Sequence, residues 1–284
     1  NMHKDTTFSD FSIKMRTFHR PAVMGILNVT PDSFYDGGRY TDTSSLLARA
    51  RQIVDEGADI IDIGAVSSRP GATLLPPEEE AQRLVPAVEA VRAAFPHMLI
   101  SVDTCLSLPA RLAVEAGADM VNDISGGQCD PQMFPTVASL QVPYILMHSL
   151  ATPDNIHSTP HYDDILQQVA YFFSERLERL YSLGVSDVIL DPGFGFSKSL
   201  DDNYLLLHHL RHLRHLFPQE PMLIGLSRKS MIYNPLDTTP DDALAGTIAL
   251  HTAALLSGAS LLRVHDVKAA VQTVQLIHRL QQTQ

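Results

Sequence analysis

Eight short apolar runs in this 284-residue chain each end in residues able to do chemistry. In order, the terminating groups are Asn28, Asp62, Asp103, Asn122, His148, Asp191, Ser227-Arg228-Lys229 and Arg263-Val264-His265. They are of four kinds. Asp62, Asp103 and Asp191, with Asn122, offer acceptors and amide pairing, which suit a flat heterocycle whose amidine-like edge presents adjacent N–H donors. Arg69, Arg228, Lys229 and Arg263 offer positive charge. Several cations converging in a chain of formal net charge −11 point to an anionic substrate. Arginine suits phosphate or carboxylate because its planar fork bonds two oxygens at once. Asn28 and His265 could meet a metal or a phosphate oxygen. Gly193, Phe194, Gly195 and Phe196 place a flexible, aromatic stretch directly after Asp191.

These groups need elements that bring them to one place. Apolar runs such as Ala22-Val23-Met24-Gly25-Ile26-Leu27, bounded by turn signals, suit strands buried on both faces of a parallel sheet. Amphipathic helical patterns separate the runs. Leu46, Leu47, Ala50, Ile53 and Val54 share one face, with Gly57 as a stop. Pro77-Glu78-Glu79-Glu80 opens the next helix, with proline in the first turn and acids at the positive end of the dipole. Ile165, Leu166, Val169, Phe172, Phe173 and Leu177 mark a long helix after the fifth strand. Val267, Ala270, Val271, Val274 and Ile277 mark the last.

A small motif recurs at the joints: Gly57-Ala58-Asp59, Gly117-Ala118-Asp119, Gly258-Ala259-Ser260 and, more loosely, Gly184-Val185-Ser186. Glycine takes the left-handed conformation that ends a helix, and a strand follows. The joints precede strands two, four, six and eight. Strand–helix alternation through eight units predicts an α/β protein of the (β/α)8 TIM-barrel class, eight parallel strands inside an outer ring of helices. Such a barrel builds its active site at the carboxyl ends of its strands, where the polar groups lie. One domain is expected over 1–284, with 1–20 as an N-terminal extension. The irregular stretches 30–43, 67–76 and 149–161 all follow strands and are expected to overhang the site.

The acidic balance argues against a nucleic-acid or anionic-membrane partner. No apolar run approaches the ~20 residues of a membrane span, and no signal-peptide pattern is read. Two cysteines, Cys105 and Cys129, are too few for a disulfide framework, so a reducing cytoplasm is the expected setting. Plainer roles compete for several of these residues. Any single strand-end Asp could be a helix cap or loop anchor. Asp266 is expected to cap the last helix, and Asp163 or Asp164 the fifth. His208, His209, His212 and His215 have metal-face spacing. They sit among Leu205, Leu206, Leu210 and Leu213, which are expected to be the core contacts, and neutral surface histidine is the commoner case. Cys105 is expected to be a small buried residue, and Phe172 and Phe173 core.

The order of motifs carries a resemblance. Met24-Gly25-Ile26-Leu27-Asn28-Val29-Thr30-Pro31-Asp32-Ser33-Phe34 resembles the opening signature of the dihydropteroate synthases of folate biosynthesis. Asp62-Ile63-Gly64 with Ser67-Ser68-Arg69-Pro70-Gly71 resembles the second. Ser101-Val102-Asp103-Thr104, Asn122-Asp123, Leu146-Met147-His148, Leu190-Asp191-Pro192-Gly193-Phe194-Gly195-Phe196, Ser227-Arg228-Lys229-Ser230 and Arg263-Val264-His265-Asp266 match the rest in order. The resemblance spans about 22–280. It departs at Gly64-Ala65-Val66-Ser67-Ser68-Arg69, where the family usually has Gly-Gly-Glu-Ser-Thr-Arg, and at Ser197, where a glycine is common and little effect is expected.

That resemblance implies a transferase joining 6-hydroxymethyl-7,8-dihydropterin diphosphate to p-aminobenzoate, giving dihydropteroate and pyrophosphate. It implies that Asp103, Asn122, Asp191 and Lys229 hold the pterin, and that Asn28, Arg69, Arg263 and His265 hold the diphosphate. Asn28 is then also a ligand to Mg²⁺. Phe34, Pro70 and Phe196 would sandwich the benzoate ring, with Ser68 nearby and Ser230 meeting its carboxylate at the start of a helix. Lys229, Arg69, Asp103 and Asp191 carry the catalytic expectation. The resemblance also implies sulfonamide binding and a homodimer formed through late helices. Two alternatives stand: a pterin-binding methyltransferase, which would not need the Thr30–Phe34, Ser68–Gly71 and Ser227–Lys229 segments, and a non-catalytic pterin-binding paralogue.

Overall fold

The computed structural model describes residues 8–29, 43–66, 74–150 and 158–283. A short hairpin comes first, β1 (Phe11–Ile13) and β2 (Arg16–Phe18). Then strands and helices alternate: β3 (Ala22–Asn28), α1 (Ser44–Asp55), β4 (Ile60–Gly64), α2 (Pro77–Ala94), β5 (Leu99–Asp103), α3 (Ser107–Glu115), β6 (Met120–Asp123), α4 (Met133–Leu140) and β7 (Tyr144–Met147). They continue through α5 (Ile165–Ser182), β8 (Val188–Asp191), α6 (Leu200–His208), α7 (Leu210–Leu216), β9 (Leu223–Ile224), α8 (Ser230–Tyr233), α9 (Leu244–Leu256), β10 (Leu261–Val264) and α10 (Val267–Gln282).

The eight long-range strands pair in parallel in the order β8-β7-β6-β5-β4-β3-β10-β9. The two ends meet through a parallel bridge between Leu190 and Met222, so the sheet closes into the expected (β/α)8 barrel. The glycines at the four joints have φ values of +102° (Gly57), +127° (Gly117), +92° (Gly184) and +102° (Gly258), the left-handed turns anticipated there.

Side chains alternate across each strand. One set, including Val23, Ile61, Ile63, Ile100, Val102, Val121, Leu146, Leu190 and Leu262, packs outward on the helices. The other set points into the barrel. Its lowest layer is Ala22, Met24, Ile60, Leu99, Met120, Ile145, Ile189, Leu223 and Leu261. Two residues further along the same strands stand Asp62, Ser101, Asn122, Asp191 and Arg263. Period two therefore puts a polar ring directly above an apolar floor. Gly25 faces outward where a Cβ would come within 2.6 Å of Ile53 Cγ2, which explains its lack of a side chain.

The hairpin is the one element among the described residues of 8–20, where the sequence predicts none. Lys14 and Met15 form its two-residue turn with φ of +47° and +67°. Lys14 bonds Asp119 at 2.7 Å, and its backbone N–H donates to Asp187. Ile13 and Phe18 join the floor layer from below.

Several local expectations need correction. The histidine-rich stretch is two helices, broken at His209, rather than one. Leu205 is exposed, while Leu206, Leu207, Leu210 and Leu213 are buried, because Leu206, Leu210 and Leu213 recur at helical spacing on the packed face and Leu205 falls off it. Among the described residues no three His, Cys, Asp or Glu side chains are grouped to hold a metal. Asp266 stands at the N-cap of the last helix but does not cap it with its side chain, which is drawn away to Arg228. Asp164 does cap α5, accepting from the Gln167 N–H at 3.0 Å.

Candidate active site

Above the floor, six side chains from five strand ends and the loop after β9 surround one space. Adjacent strands set their level: Gly64 pairs with Asp103, and Asp103 with Asn122. Arg263 reaches across from β10, donating Nε to Asp62 at 2.7 Å and Nη2 to Asp103 at 3.2 Å. Asn122 Nδ2 donates to the same Asp62 oxygen at 3.2 Å. Asp191 accepts the Gly193 N–H at 2.8 Å. Lys229 donates to the Phe194 carbonyl at 2.5 Å and stands 4.8 Å from the centre of the Phe196 ring. Phe196 in turn packs with Met147 and Ile124 into a small apolar wall.

Crowding shifts the charges. Burial, helped by the Asp62 carboxylate and opposed by Arg263, pushes the Asp103 pKa up to about 7. Burial also raises Asp191, against the pull of Lys229. Lys229 falls to about 8 through burial, with Asp191 resisting. His265 falls to about 4 through burial and then the Arg263 charge, so its ring is neutral at pH 7. Its Nδ1 lies 2.9 Å from Ser227 Oγ, which also accepts the His265 backbone N–H.

Of the residues singled out in the sequence, the structure brings together Asp62, Asp103, Asn122, Asp191, Lys229, Arg263 and Phe196. Asn28 and His265 stand at the rims of β3 and β10, and Ser230 opens the single-turn helix α8. Phe34, Ser68, Arg69 and Pro70 lie outside the described residues, as do most of the stretches expected to overhang the site.

His148 does not join the ring. It follows the inward Met147 by one residue, so it faces outward, fully buried with its ring 4.9 Å from Phe172. Burial holds its pKa well below the usual histidine range. Arg228 also turns aside, pairing with Asp266.

Two buried residues are part of the arrangement without having been singled out for chemistry. Lys198 donates to the Gly193 and Phe196 carbonyls, both at 2.9 Å, and to His148 O at 3.4 Å. It thus ties the turn carrying Phe196 to the end of β7. Glu80, from α2, accepts the Thr104 hydroxyl next to Asp103. Burial raises the Glu80 pKa to about 7, against that hydrogen bond. Asp62 supports both Asn122 and Arg263. A lysine or glutamate in a helix or loop pattern reads as solvated surface, so neither Lys198 nor Glu80 carries a usable sequence signal, whereas the place of Asp62 on a strand end makes it legible.

Carboxylates and one amide converging above an apolar floor, with a lysine and an arginine beside them, define a site for a flat, donor-rich ring carrying negative charge. The family described as pterin binding enzyme matches residues 24–265, and the chain belongs to it. Among its members the dihydropteroate synthase of Escherichia coli strain K12 is 40% identical over 259 residues, covering 90% of both chains. Two solved dihydropteroate synthases share the fold. The Yersinia pestis enzyme in a sulfonamide drug complex has a TM-score of 0.88 at 38% identity, over 97% of this chain and 100% of that one. The Xanthomonas albilineans enzyme with 4-aminobenzoic acid has a TM-score of 0.86 at 41% identity, over 98% and 100%. Within the family the chain is thus a transferase of the dihydropteroate synthase kind.

Proposed function

We propose that this site condenses 6-hydroxymethyl-7,8-dihydropterin diphosphate with p-aminobenzoate, releasing pyrophosphate and 7,8-dihydropteroate. The observation that carries the reading is the convergence of Asp103, Asn122, Asp191 and Lys229 above one apolar floor. The first three accept from the pterin's amidine edge, and Lys229 donates to its oxo group and ring nitrogen. Arg263 and His265, with Arg69, bind the diphosphate. The neutral His265 ring meets an anion through an N–H rather than a full charge.

Asn28 supplies one hard oxygen donor at the rim. With no three side chains among the described residues placed to ligate a metal together, this fits Mg²⁺ that arrives already bound to the diphosphate, since magnesium usually keeps waters and substrate phosphates as ligands. When bound, the ion offsets the charge developing on the departing pyrophosphate. The amine nitrogen of p-aminobenzoate attacks with its own lone pair, so no strong base is required. The arginines stabilise the leaving group. Phe196, with Phe34 and Pro70, flanks the benzoate ring, while Ser68 and Ser230 meet its polar ends. Sulfonamides would occupy the same place.

The match over nine-tenths of the chain favours this reading over a methyltransferase or a non-catalytic paralogue. Exposed Leu276 and Leu280 on α10 and Leu256 at the end of α9 support a homodimer through these late helices. Two free cysteines suit the cytoplasm, and among the described residues no helix is long and apolar enough to cross a membrane. Pyrophosphate release dependent on both p-aminobenzoate and Mg²⁺ is the deciding measurement. Release without p-aminobenzoate, or none with both, would count against the reading.

A further inference from the structure

We propose that Asp62 is a positioning residue that sets the specificity of the pocket by fixing which way the Asn122 amide points. Asp62 lies inward on β4, one step above Ile60, and is 1% exposed. A carboxylate oxygen can only accept. Its contact with Asn122 therefore requires the amide nitrogen to face Asp62, and the amide oxygen to face away. Arg263 Nε, at 2.7 Å on the same oxygen, anchors the carboxylate so that it cannot follow a turning amide.

The result is a buried Asn122 Oδ1 that no described residue satisfies. It is level with its pair partner Asp103, and Asp191 stands two strands away on the same inward side. An acceptor held in this direction selects a ring that brings an amino group or N–H donor to it and repels a ring that places an oxygen there. An asparagine alone would have no such preference, because it can flip. The inference rests on the pterin reading above and deepens it: the pocket's discrimination between 2-amino and 2-oxo pteridines resides in a residue that need not touch either.

The test uses two probe ligands, pterin and lumazine, the second of which carries an oxygen at the 2-position instead of an amino group. Affinities are measured by calorimetry on the full chain. Wild-type protein should prefer the pterin by roughly 100-fold, the order expected when the wrong ring leaves a buried acceptor unpaired. Asp62→Leu keeps the side-chain shape but removes the acceptor. The amide can then turn its nitrogen to the 2-oxo group, and the preference should collapse to about tenfold or less. Asp62→Asn retains one acceptor and should restore part of it. Combining Asp62→Leu with Asn122→Ala should change the preference no further than Asn122→Ala alone.

A purely structural role would weaken both ligands equally and leave the preference intact, which would overturn the proposal. So would additive effects in the double variant. If Asp62→Leu does not fold, Asp62→Asn decides by the same ratio: an unchanged preference there counts against the proposal. Wild-type protein that binds no pterin would overturn the pterin reading itself, and this inference with it.

Discussion

Arg228 and Asp266 hold each other at two points, Nε to Oδ2 at 2.8 Å and Nη2 to Oδ1 at 3.1 Å. The pair links the loop after β9 to the start of α10, and each partner adjoins a site residue, Lys229 and His265. Arg228 has φ of +54° and also donates to the Pro240 and Asp241 carbonyls. The pairing holds the Asp266 carboxyl below its usual range. It also explains why a charge that reads as substrate-binding in the sequence is spent on geometry.

Arg228→Ala should therefore cost stability, by about 1–2 kcal/mol for a partly exposed charge-assisted pair. Asp266→Ala should cost a similar amount, and the double variant less than their sum. Denaturant titration of the three variants measures this. Strict additivity would mean that the pair contributes nothing.

Asp191→Asn should weaken pterin binding far beyond its small change in volume. A carboxylate accepts from two ring N–H groups, whereas an amide presents a donor to one of them. A buried polar group left unpaired costs ~1–3 kcal/mol, equivalent to roughly 5- to 150-fold in affinity. Calorimetry with a pterin analogue would show the loss, and native affinity would remove Asp191 from the pocket.

The same substitution should move a pH profile. Asp191 supports the charge on Lys229, whose pKa is about 8. Donation to the pterin weakens as Lys229 loses its proton, so kcat/KM for the pterin diphosphate should fall above about pH 8. Removing the Asp191 charge lowers the Lys229 pKa further, so in Asp191→Asn the fall should begin at lower pH. An alkaline limb that stays in place would dissociate the two residues.

Glu80 makes a stability prediction. Its folded pKa of about 7 lies above the ordinary 4.5. Between those values the folded chain binds more protons than the unfolded one, so stability falls as pH rises through that window. Asp103, also near 7, acts with the same sign. Glu80→Gln can still accept the Thr104 hydroxyl and has no proton to lose. Its melting temperature should decline less than that of the wild type between pH 5 and 7.5. Parallel curves would show that Glu80 titrates normally.

The barrel was legible because its signals are periodic and local. Ile60 then Asp62, Met120 then Asn122, and Leu261 then Arg263 each announce floor and ring on one strand. The glycine joints were legible for the same reason. What was hidden depends on partners far away in sequence. Nothing near Asp266 shows that Arg228 will draw its side chain, and nothing near Lys198 shows three carbonyls waiting for it. His148 misled because a strand end looks the same whether its last residue points in or out. One residue of register decides that. Ser197, with φ of +54°, sits in a backbone conformation that glycine enters most easily, which gives a physical reason for the glycine common at that position.

The hairpin beneath the floor has a bearing on traffic. With Ile13 and Phe18 packed beneath the floor, the barrel among the described residues is closed at its lower end, like a cul-de-sac. In the proposed reaction the pterin lies at the blind end and p-aminobenzoate nearer the street. The deeper guest must arrive first and can leave only after the doorway has cleared. Compulsory order of binding would then be a consequence of plumbing, present even if no loop moved. An early p-aminobenzoate, or a sulfonamide in its place, would be a parked car that blocks the lane.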